Sequence, residues 1–314
     1  MPIELVPLTL DNYKDLIGGD GARIVSESEI LHHDHVGTSD TLLHRVGAIA
    51  SDGQFVGYGM TVTGPFDPTP KEGHFEVRVR VAPEWRHKGI GSAIFAEMER
   101  FAVEHGAVVL NASVGDGDPQ SLSWARHRGF QAFNHMFGSR LDLETFNAFG
   151  FPMPLGNRLR FVSLADYPAT DDWFARFVDF YYELADDVPG MQGIRPSVLN
   201  LEKEKEKFMV EPEWDPHAVV FAVVDDQWAA MAFLYQRPDG TSYYNQMTGV
   251  RRDFRGMGLG VAVKCAAISY ARSHGAKFMY THNATMNEPM LAVNRKLGFQ
   301  PQGGTFSLEK SLNG

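Results

Sequence analysis

The chain has 314 residues, about twice the length of a typical domain, so we expect two domains. Its 44% hydrophobic and 22% charged residues are typical of a folded globular protein. The net charge of −10 is opposite in sign to a nucleic-acid-binding surface. The apolar runs are far shorter than the roughly 20 residues that a membrane-spanning helix needs. We therefore expect neither nucleic acid nor a membrane as partner.

The start of the chain and its cysteine content indicate a cytoplasmic location. Residues 1–10 include Glu4 and Pro7 and lack the basic start and apolar stretch of a secretion signal. Cys265 is the single cysteine, so an internal disulfide cannot form. Both features agree with a reducing compartment.

The first half of the chain predicts a strand at Ile3–Leu8, followed by a hairpin. Its two strands, Leu42–Ala50 and Phe55–Thr63, flank Asp52-Gly53, a pair typical of a type I′ turn. After the hairpin we predict a strand at Phe75–Val81 and a helix at Gly91–His105. A strand at Val108–Ala112 and a last helix up to Gly129 follow.

The second half predicts the same order of elements. It starts with a strand at Arg158–Leu164 and a helix at Asp171–Leu184, with Asp171 or Asp172 as N-cap. The alternating Glu and Lys of Leu201–Phe208 favour a solvated helix. A hairpin of Ala218–Val224 and Trp228–Tyr235 around Asp225-Asp226 follows, and then a strand at Tyr243–Val250. The remaining predictions are a helix at Gly260–His274, a strand at Phe278–His282 and a last helix up to Gly298.

An internal repeat relates the two halves. Val81–Phe130 aligns without a gap on Val250–Phe299, at an offset of 169 residues (250 − 81). This offset is too long for a solenoid repeat, so each copy should be a whole domain. Glycine and proline crowd Phe149–Asn157, where we place the boundary. The predicted domains are residues 1–150 and 157–314.

Each copy contains an R-x-x-G-x-G turn between a strand and a helix. Such a turn directs unpaired backbone N–H groups outward, and their partial positive charge suits a pyrophosphate. A glycine-rich turn could instead serve only close packing. The pattern is neither a Rossmann fingerprint nor an ATP-binding P-loop. The two turns are Arg86-His87-Lys88-Gly89-Ile90-Gly91-Ser92 and Arg255-Gly256-Met257-Gly258-Leu259-Gly260.

The order strand, R-x-x-G-x-G turn, helix, strand and helix ending in Gly-Phe resembles the acetyl-CoA site of the GNAT (GCN5-related) N-acetyltransferase superfamily. The resemblance covers both halves and implies an α/β fold of two tandem GNAT domains, similar in layout to mycothiol synthase. Each would have a mixed, mostly antiparallel central sheet flanked by helices. It further implies an acyl-CoA-dependent N-acyltransferase, in which the substrate amine attacks acetyl-CoA directly. Our leading hypothesis for the acceptor is a primary amine of a small molecule.

By this resemblance, the two turns hold the CoA pyrophosphate, and the strands before them pair with the pantetheine arm inside a splayed strand pair. A strand N–H would polarise the thioester carbonyl. The CoA-binding residues implied in this way are Val81, Arg86, His87, Lys88, Gly89, Ile90, Gly91, Ser92, Val250, Arg255, Gly256, Met257, Gly258, Leu259, Gly260, Asn283, Asn287 and Asn294.

Three of these asparagines lie in or just before the last helix of the second copy. Asn287 stands where the family often has an asparagine that contacts the CoA arm. Asn294 stands where many members have a tyrosine that protonates the leaving thiolate, and the first copy has Ala125 there. Asn294 is therefore a catalytic candidate, although the general acid stays unassigned. The asparagines could instead be helix caps and turn formers.

Glu76 is the candidate general base of the first copy, because a carboxylate on this strand is the family's usual base. The alternative is that Glu76 points to solvent on an alternating strand. The second copy has Asn245 there, and its candidates for the base include Glu183, His217 and His282. Which copy reacts stays open.

Two other functions remain open: a non-catalytic acyl-CoA sensor and a protein N-acetyltransferase. The run His32-His33-Asp34-His35 looks like a metal cluster. It lacks a second, spaced pair of ligands, so we predict no metal site.

Overall fold

The computed structural model describes residues 3–17, 24–28, 30, 31, 41–63, 72–147, 150, 151, 153–209 and 214–312. The chain is α/β with mostly antiparallel strand pairing, as predicted. It forms two compact units: unit 1 comprises residues 1–133 and 305–314, and unit 2 comprises residues 134–304. No helix in the described ranges is long and apolar enough to cross a membrane.

Unit 1 has its strands in the order β1-β2-β3-β4-β5-β12, and β4–β5 is the parallel pair. A single helical turn, Tyr13–Leu16, follows β1. The elements are β1 (Ile3–Pro7), β2 (Leu43–Ala50), β3 (Phe55–Val62), β4 (His74–Val81), α1 (Ile90–Glu104), β5 (Val109–Gly115), α2 (Pro119–Arg126) and the end of β12 (Gln300–Ser311).

Unit 2 has the order β6-β11-β10-β9-β8-β7, and β10–β11 is the parallel pair. Its elements are β6 (Gln131–Asp142), β7 (Leu159–Ser163), α3 (Asp171–Ala185), α4 (Leu201–Phe208), β8 (Val219–Val224), β9 (Gln227–Gln236), β10 (Ser242–Val250), α5 (Leu259–Ser273), β11 (Phe278–Ala284) and α6 (Glu288–Leu297).

The compact units do not follow the predicted boundaries of 1–150 and 157–314. The strand after each repeat joins the sheet of the other copy: β6 pairs with β11, and the end of β12 pairs with β5. Residues 134–142 therefore belong to unit 2, and residues 305–314 to unit 1. The repeat shows where the sequences are similar, whereas long-range strand pairing decides which unit a terminal strand joins.

Helix α1 packs closely on the sheet of unit 1. Ile94 and Met98 are fully buried, and a Cβ built on Gly57 or Gly59 of β3 would come within 2.8 or 2.4 Å of Ile94. Glycine at these positions therefore lets the helix approach the strand. This contact fixes the start of α1 beside the end of β4.

The sheet of unit 2 is buried on both faces. Alternate residues of β8 enter two different clusters: Val220 lies with α5, and Phe221 lies with the aromatic residues of α3. Phe177 of α3 meets Phe233 edge-on at 5.8 Å between ring centroids. Both faces of this sheet are therefore covered by helices.

The two hairpin turns differ from each other. Asp225 and Asp226 both have positive φ, 47° and 62°, as a type I′ turn requires. In the first hairpin only Gly53 has a positive φ, 84°, so the type I′ prediction for Asp52-Gly53 is wrong. The reason is a longer loop, in which Ala50 N donates to Gln54 O at 2.9 Å beside a bulge.

Two helix predictions need correction. Helix α3 begins at Asp171, but its N-cap is Thr170, and Asp171 and Asp172 lie in the first turn. Helix α4 forms as predicted but is not solvated throughout, because Glu204 is buried and accepts a hydrogen bond from the Tyr182 hydroxyl at 2.9 Å. A charged pattern alone could not reveal this buried contact.

Candidate active site

Strands β4 and β5 form a splayed pair in unit 1. They pair in parallel over three residues, from His74–Val109 to Glu76–Asn111, and then diverge. In unit 2, β10 and β11 pair over three residues in the same way. Each copy thus has the splayed strand pair that the resemblance implies, and the backbone beyond the last pair borders a slot.

The two R-x-x-G-x-G turns have nearly the same backbone. Gly89 and Gly258 cap α1 and α5 with left-handed φ of 84° and 79°. The Arg86 and Arg255 Nε groups each donate to the carbonyl five residues earlier, both at 3.2 Å. In such turns the first N–H groups of the helix have no intrahelical acceptor and point outward. Both turns could therefore present amides to an anion.

The first turn opens into a cleft of about 930 Å³ in unit 1. A Cβ built on Gly89 would meet no atom within 4 Å, so the turn itself is uncovered. The Arg86 side chain is 43% exposed and lies 3.9 Å from Asp118. The predicted residues that line the cleft are Glu76, Val81, Arg86, His87, Gly89, Gly91 and Ser92. Lys88 lies over the Trp85 ring at 4.4 Å, and Ile90, the first residue of α1, is buried.

The second turn already faces a carboxylate. Asp187 forms ion pairs with Arg252, at 2.7 Å, and with Arg255. Hydrogen bonds from these two arginines, the Arg252 bond first, hold the pKa of Asp187 below its usual value. Pro154 also approaches this turn, because a Cβ on Gly258 would lie 3.8 Å from it. An anionic ligand would have to displace Asp187 from Arg255.

The slot region of unit 2 holds a buried polar network. Lys264 Nζ donates to Asn294 Oδ1 at 2.5 Å, and Asn294 Nδ2 donates to Asn283 Oδ1 at 2.7 Å. Asn283 Nδ2 in turn donates to Ser139 Oγ at 3.4 Å. All four residues are at most 4% exposed, and burial lowers the pKa of Lys264 to about 7. Asn283 and Asn294 therefore bond to the protein itself, and both lie below the surface.

Asn287 has the capping role left open by the sequence. Its Oδ1 accepts from Met290 N at 3.3 Å, at the start of α6. Asp118 does the same for α2, accepting from Ser121 N at 2.9 Å. The equivalent positions of the two copies thus share a structural function.

Glu76 lies at the point where β4 and β5 diverge. It lines the cleft, its side chain is 28% exposed, and its Oε1 accepts from Arg78 Nε at 2.8 Å. The carboxylate therefore borders the slot rather than open solvent. Its counterpart Asn245 is buried and donates to two backbone carbonyls. Glu183 forms an ion pair with Arg251.

Arg128 is a cleft residue that the sequence analysis missed. It lies two residues beyond α2, and its Nη2 donates to Ser92 Oγ at 2.5 Å. The available signal was a difference between copies, because the aligned position of the second copy is Leu297.

Three other kinds of reactive group are relevant to catalysis: the cysteine thiol, metal-binding side chains and a tyrosine in the cleft. Burial raises the pKa of the Cys265 thiol to about 11, which makes it a poor nucleophile at neutral pH. No group of three or more metal-binding side chains occurs within the described ranges. The run His32–His35 lies outside those ranges. The described lining of the cleft contains no tyrosine.

Comparisons with known proteins agree with this geometry. The model of the acetyltransferase (GNAT) family matches residues 22–130 and 179–299. A search of curated protein sequences finds no match. A GCN5-related N-acetyltransferase from Sphaerobacter thermophilus is 15% identical, with a TM-score of 0.65 over 98% of this chain and 95% of that one. A tandem GNAT protein from the clavulanic acid biosynthesis pathway is 21% identical, with a TM-score of 0.59 over 99% and 98%.

At these identities the two structures support the fold alone, whereas the family model covers more than half of the chain. The chain therefore belongs to the GNAT acetyltransferase family and contains two GNAT regions in tandem.

Proposed function

We propose that the chain is an acyl-CoA-dependent N-acyltransferase in which only unit 1 binds CoA and reacts. The observation that carries this proposal is the contrast between the two turns. The turn at Arg86 opens into a cleft of about 930 Å³, whereas Asp187 and Pro154 lie against the turn at Arg255 and Gly258. Of the two turns that the resemblance implies for CoA, the proposal thus selects the one at residues 86–91.

The residues of unit 1 fit acetyl-CoA as the donor. The outward N–H groups of residues 87–91 and the Arg86 guanidinium would hold the diphosphate. Beyond Glu76, the backbone of β4 has no strand partner on the β5 side among the described residues, so its polar groups would be available to the pantetheine arm. An N–H of this segment would also stabilise the oxyanion that develops on the thioester carbonyl.

The acceptor in this proposal is a primary amine of a small molecule. Glu76 would take a proton from the ammonium form of the acceptor at the point where the strands diverge. The neutral amine nitrogen then attacks the thioester carbonyl carbon, the C–N bond forms and the C–S bond breaks. The second proton of that nitrogen passes to the leaving thiolate, directly or through water, so the products are the amide and the CoA thiol. Arg78, 2.8 Å from Glu76, fixes the position of the carboxylate.

Calorimetry and turnover test this function together. We expect acetyl-CoA to bind the full chain at one site, and we expect free thiol to appear when a panel of primary amines is added. Two equal sites would contradict the single-site proposal. Tight binding without thiol release from any amine would favour a sensor instead. No binding at all would refute both.

A further inference from the structure

Arg128 is a partly buried cation of the cleft. Within the described part of the chain no carboxylate lies within ion-pair distance of it, and burial lowers its pKa. Nη1 donates to the Trp124 carbonyl at 3.2 Å, and Nη2 donates to Ser92 Oγ at 2.5 Å. The guanidinium also stacks on the Trp124 ring, 3.7 Å from its centroid. The side chain is thus held in one orientation at a cost in desolvation.

The position of this cation is electrostatically unfavourable unless an anion is present. Ser92 lies in the first turn of α1, where the helix dipole and the outward N–H groups already carry partial positive charge. A second positive charge at this end raises the energy of the empty protein. An anion between the amides and Arg128 would reverse the sign of both interactions.

The second copy shows that the fold does not require this arrangement. At the positions of Ser92, Trp124 and Arg128 it has Val261, Val293 and Leu297. The second copy nevertheless keeps the backbone of the R-x-x-G-x-G turn. The three side chains therefore occur in the copy that has the open cleft, and the turn forms without them.

We propose that Arg128 is a second arginine of the phosphate site, which binds the CoA diphosphate opposite Arg86. The inference rests on the proposed function of unit 1. The Trp124 ring holds one face of the guanidinium, so that its edge, which carries the donors, is directed along the cleft toward the first turn of α1. Ser92 Oγ accepts a hydrogen bond from that edge and so holds it beside the start of α1. The diphosphate, rather than the 3′-phosphate, is the expected partner because Arg128 bonds to the helix end that holds the turn.

The test compares acetyl-CoA with acetyl-dephospho-CoA, which lacks only the 3′-phosphate. Calorimetry is done on the wild type, Arg128→Leu, Arg128→Lys and the matched control Arg126→Leu, an exposed arginine two residues away. Arg128→Leu should weaken both ligands equally, by about 10- to 100-fold, because a charge-assisted contact is lost. The affinity of Arg128→Lys should lie between those of the wild type and Arg128→Leu, and the affinity of Arg126→Leu should stay within about twofold of the wild type.

The outcomes separate this inference from the proposed function. If the wild type binds and Arg128→Leu binds equally well, the inference is wrong and the function stands. A loss confined to acetyl-CoA would assign Arg128 to the 3′-phosphate and overturn the diphosphate assignment. A wild type that binds neither ligand refutes both proposals. The melting temperature of ligand-free Arg128→Leu controls for folding, and a large fall would attribute the loss to structure.

Discussion

The two GNAT regions share the backbone of the phosphate turn but differ in what their arginines meet. Arg86 and Arg255 make the same 3.2 Å bond to the carbonyl five residues earlier. Arg86 lines an open cleft and lies 3.9 Å from its nearest carboxylate, Asp118, whereas Arg255 forms a close ion pair with Asp187. The R-x-x-G-x-G motif therefore specifies a backbone conformation, whereas side chains from other parts of the sequence decide whether the turn can bind an anion.

The same contrast recurs behind the turns. In unit 1, Phe95 packs edge-on against Trp124 and Phe130, beside Ala125. At the positions of Phe95 and Ala125 the second copy has Lys264 and Asn294, joined by a 2.5 Å hydrogen bond. An apolar wall of the cleft thus corresponds to a buried polar network. A duplicated fold can keep its shape while its slot changes in chemistry.

The largest expected effect comes from the proposed base. Glu76→Gln should lower kcat by about 100- to 10,000-fold, because the amide cannot accept the amine proton. The dissociation constant for acetyl-CoA should stay nearly unchanged, since Glu76 lies at the acyl end of the slot. Steady-state kinetics and calorimetry check both values.

Glu84→Gln is the matched control, because Glu84 also lines the cleft but lies beside the phosphate turn. It should retain nearly full kcat. Equal losses in the two variants would indicate a general effect of charge and would remove the role assigned to Glu76.

The polar network of unit 2 should make its stability depend on pH. The pKa of Lys264 is lowered to about 7 in the folded protein, so between about pH 7 and 10.5 the unfolded chain binds a proton that the folded chain does not. The free energy of unfolding therefore rises with pH in this window, by up to about 5 kcal/mol. Below this window Lys264 is charged in the folded protein as well, so the whole cost of burying its charge lowers the stability.

The double variant Lys264→Met/Asn294→Ala removes the titrating amine together with its acceptor, and Asn283 Oδ1 then loses its donor at a cost that does not depend on pH. The stability of the variant relative to the wild type should be greatest at pH 6 to 7 and should fall toward pH 10. Urea unfolding at several pH values gives the comparison. Parallel pH profiles for the two proteins would show that Lys264 keeps an ordinary pKa in the fold.

Much of this comparison was open to prediction from sequence, and the rest depended on distant contacts. Alternation predicted most strands, and the repeat predicted two GNAT regions. Strands β6 and β12 were missed because neither alternates clearly after its Gly-Phe. Asp187 is far from Arg255 along the chain, so no local pattern could join them. Asn287 matched a family position, yet only the backbone geometry revealed its capping bond.

The two turns themselves can be compared by matched substitutions. Arg86→Gln should weaken acetyl-CoA binding by about 10- to 100-fold, because a charge-assisted phosphate contact is lost. Arg255→Gln should leave both affinity and the single site unchanged, within about twofold, since Asp187 already occupies that guanidinium. Calorimetry measures both. A larger loss with Arg255→Gln than with Arg86→Gln would reverse the assignment of the working copy.

The smallest effect is expected at Asp187 itself. Asp187→Asn removes its charge from Arg252 and Arg255 and should cost about 1 kcal/mol of stability, as for a partly exposed ion pair. We still expect one acetyl-CoA per chain, because Pro154 lies against the second turn and the Lys264 network fills the region behind it. A second site in this variant would show that Asp187 alone closes the turn. The absence of one would show that removing the charge of Asp187 is not enough to open the second turn.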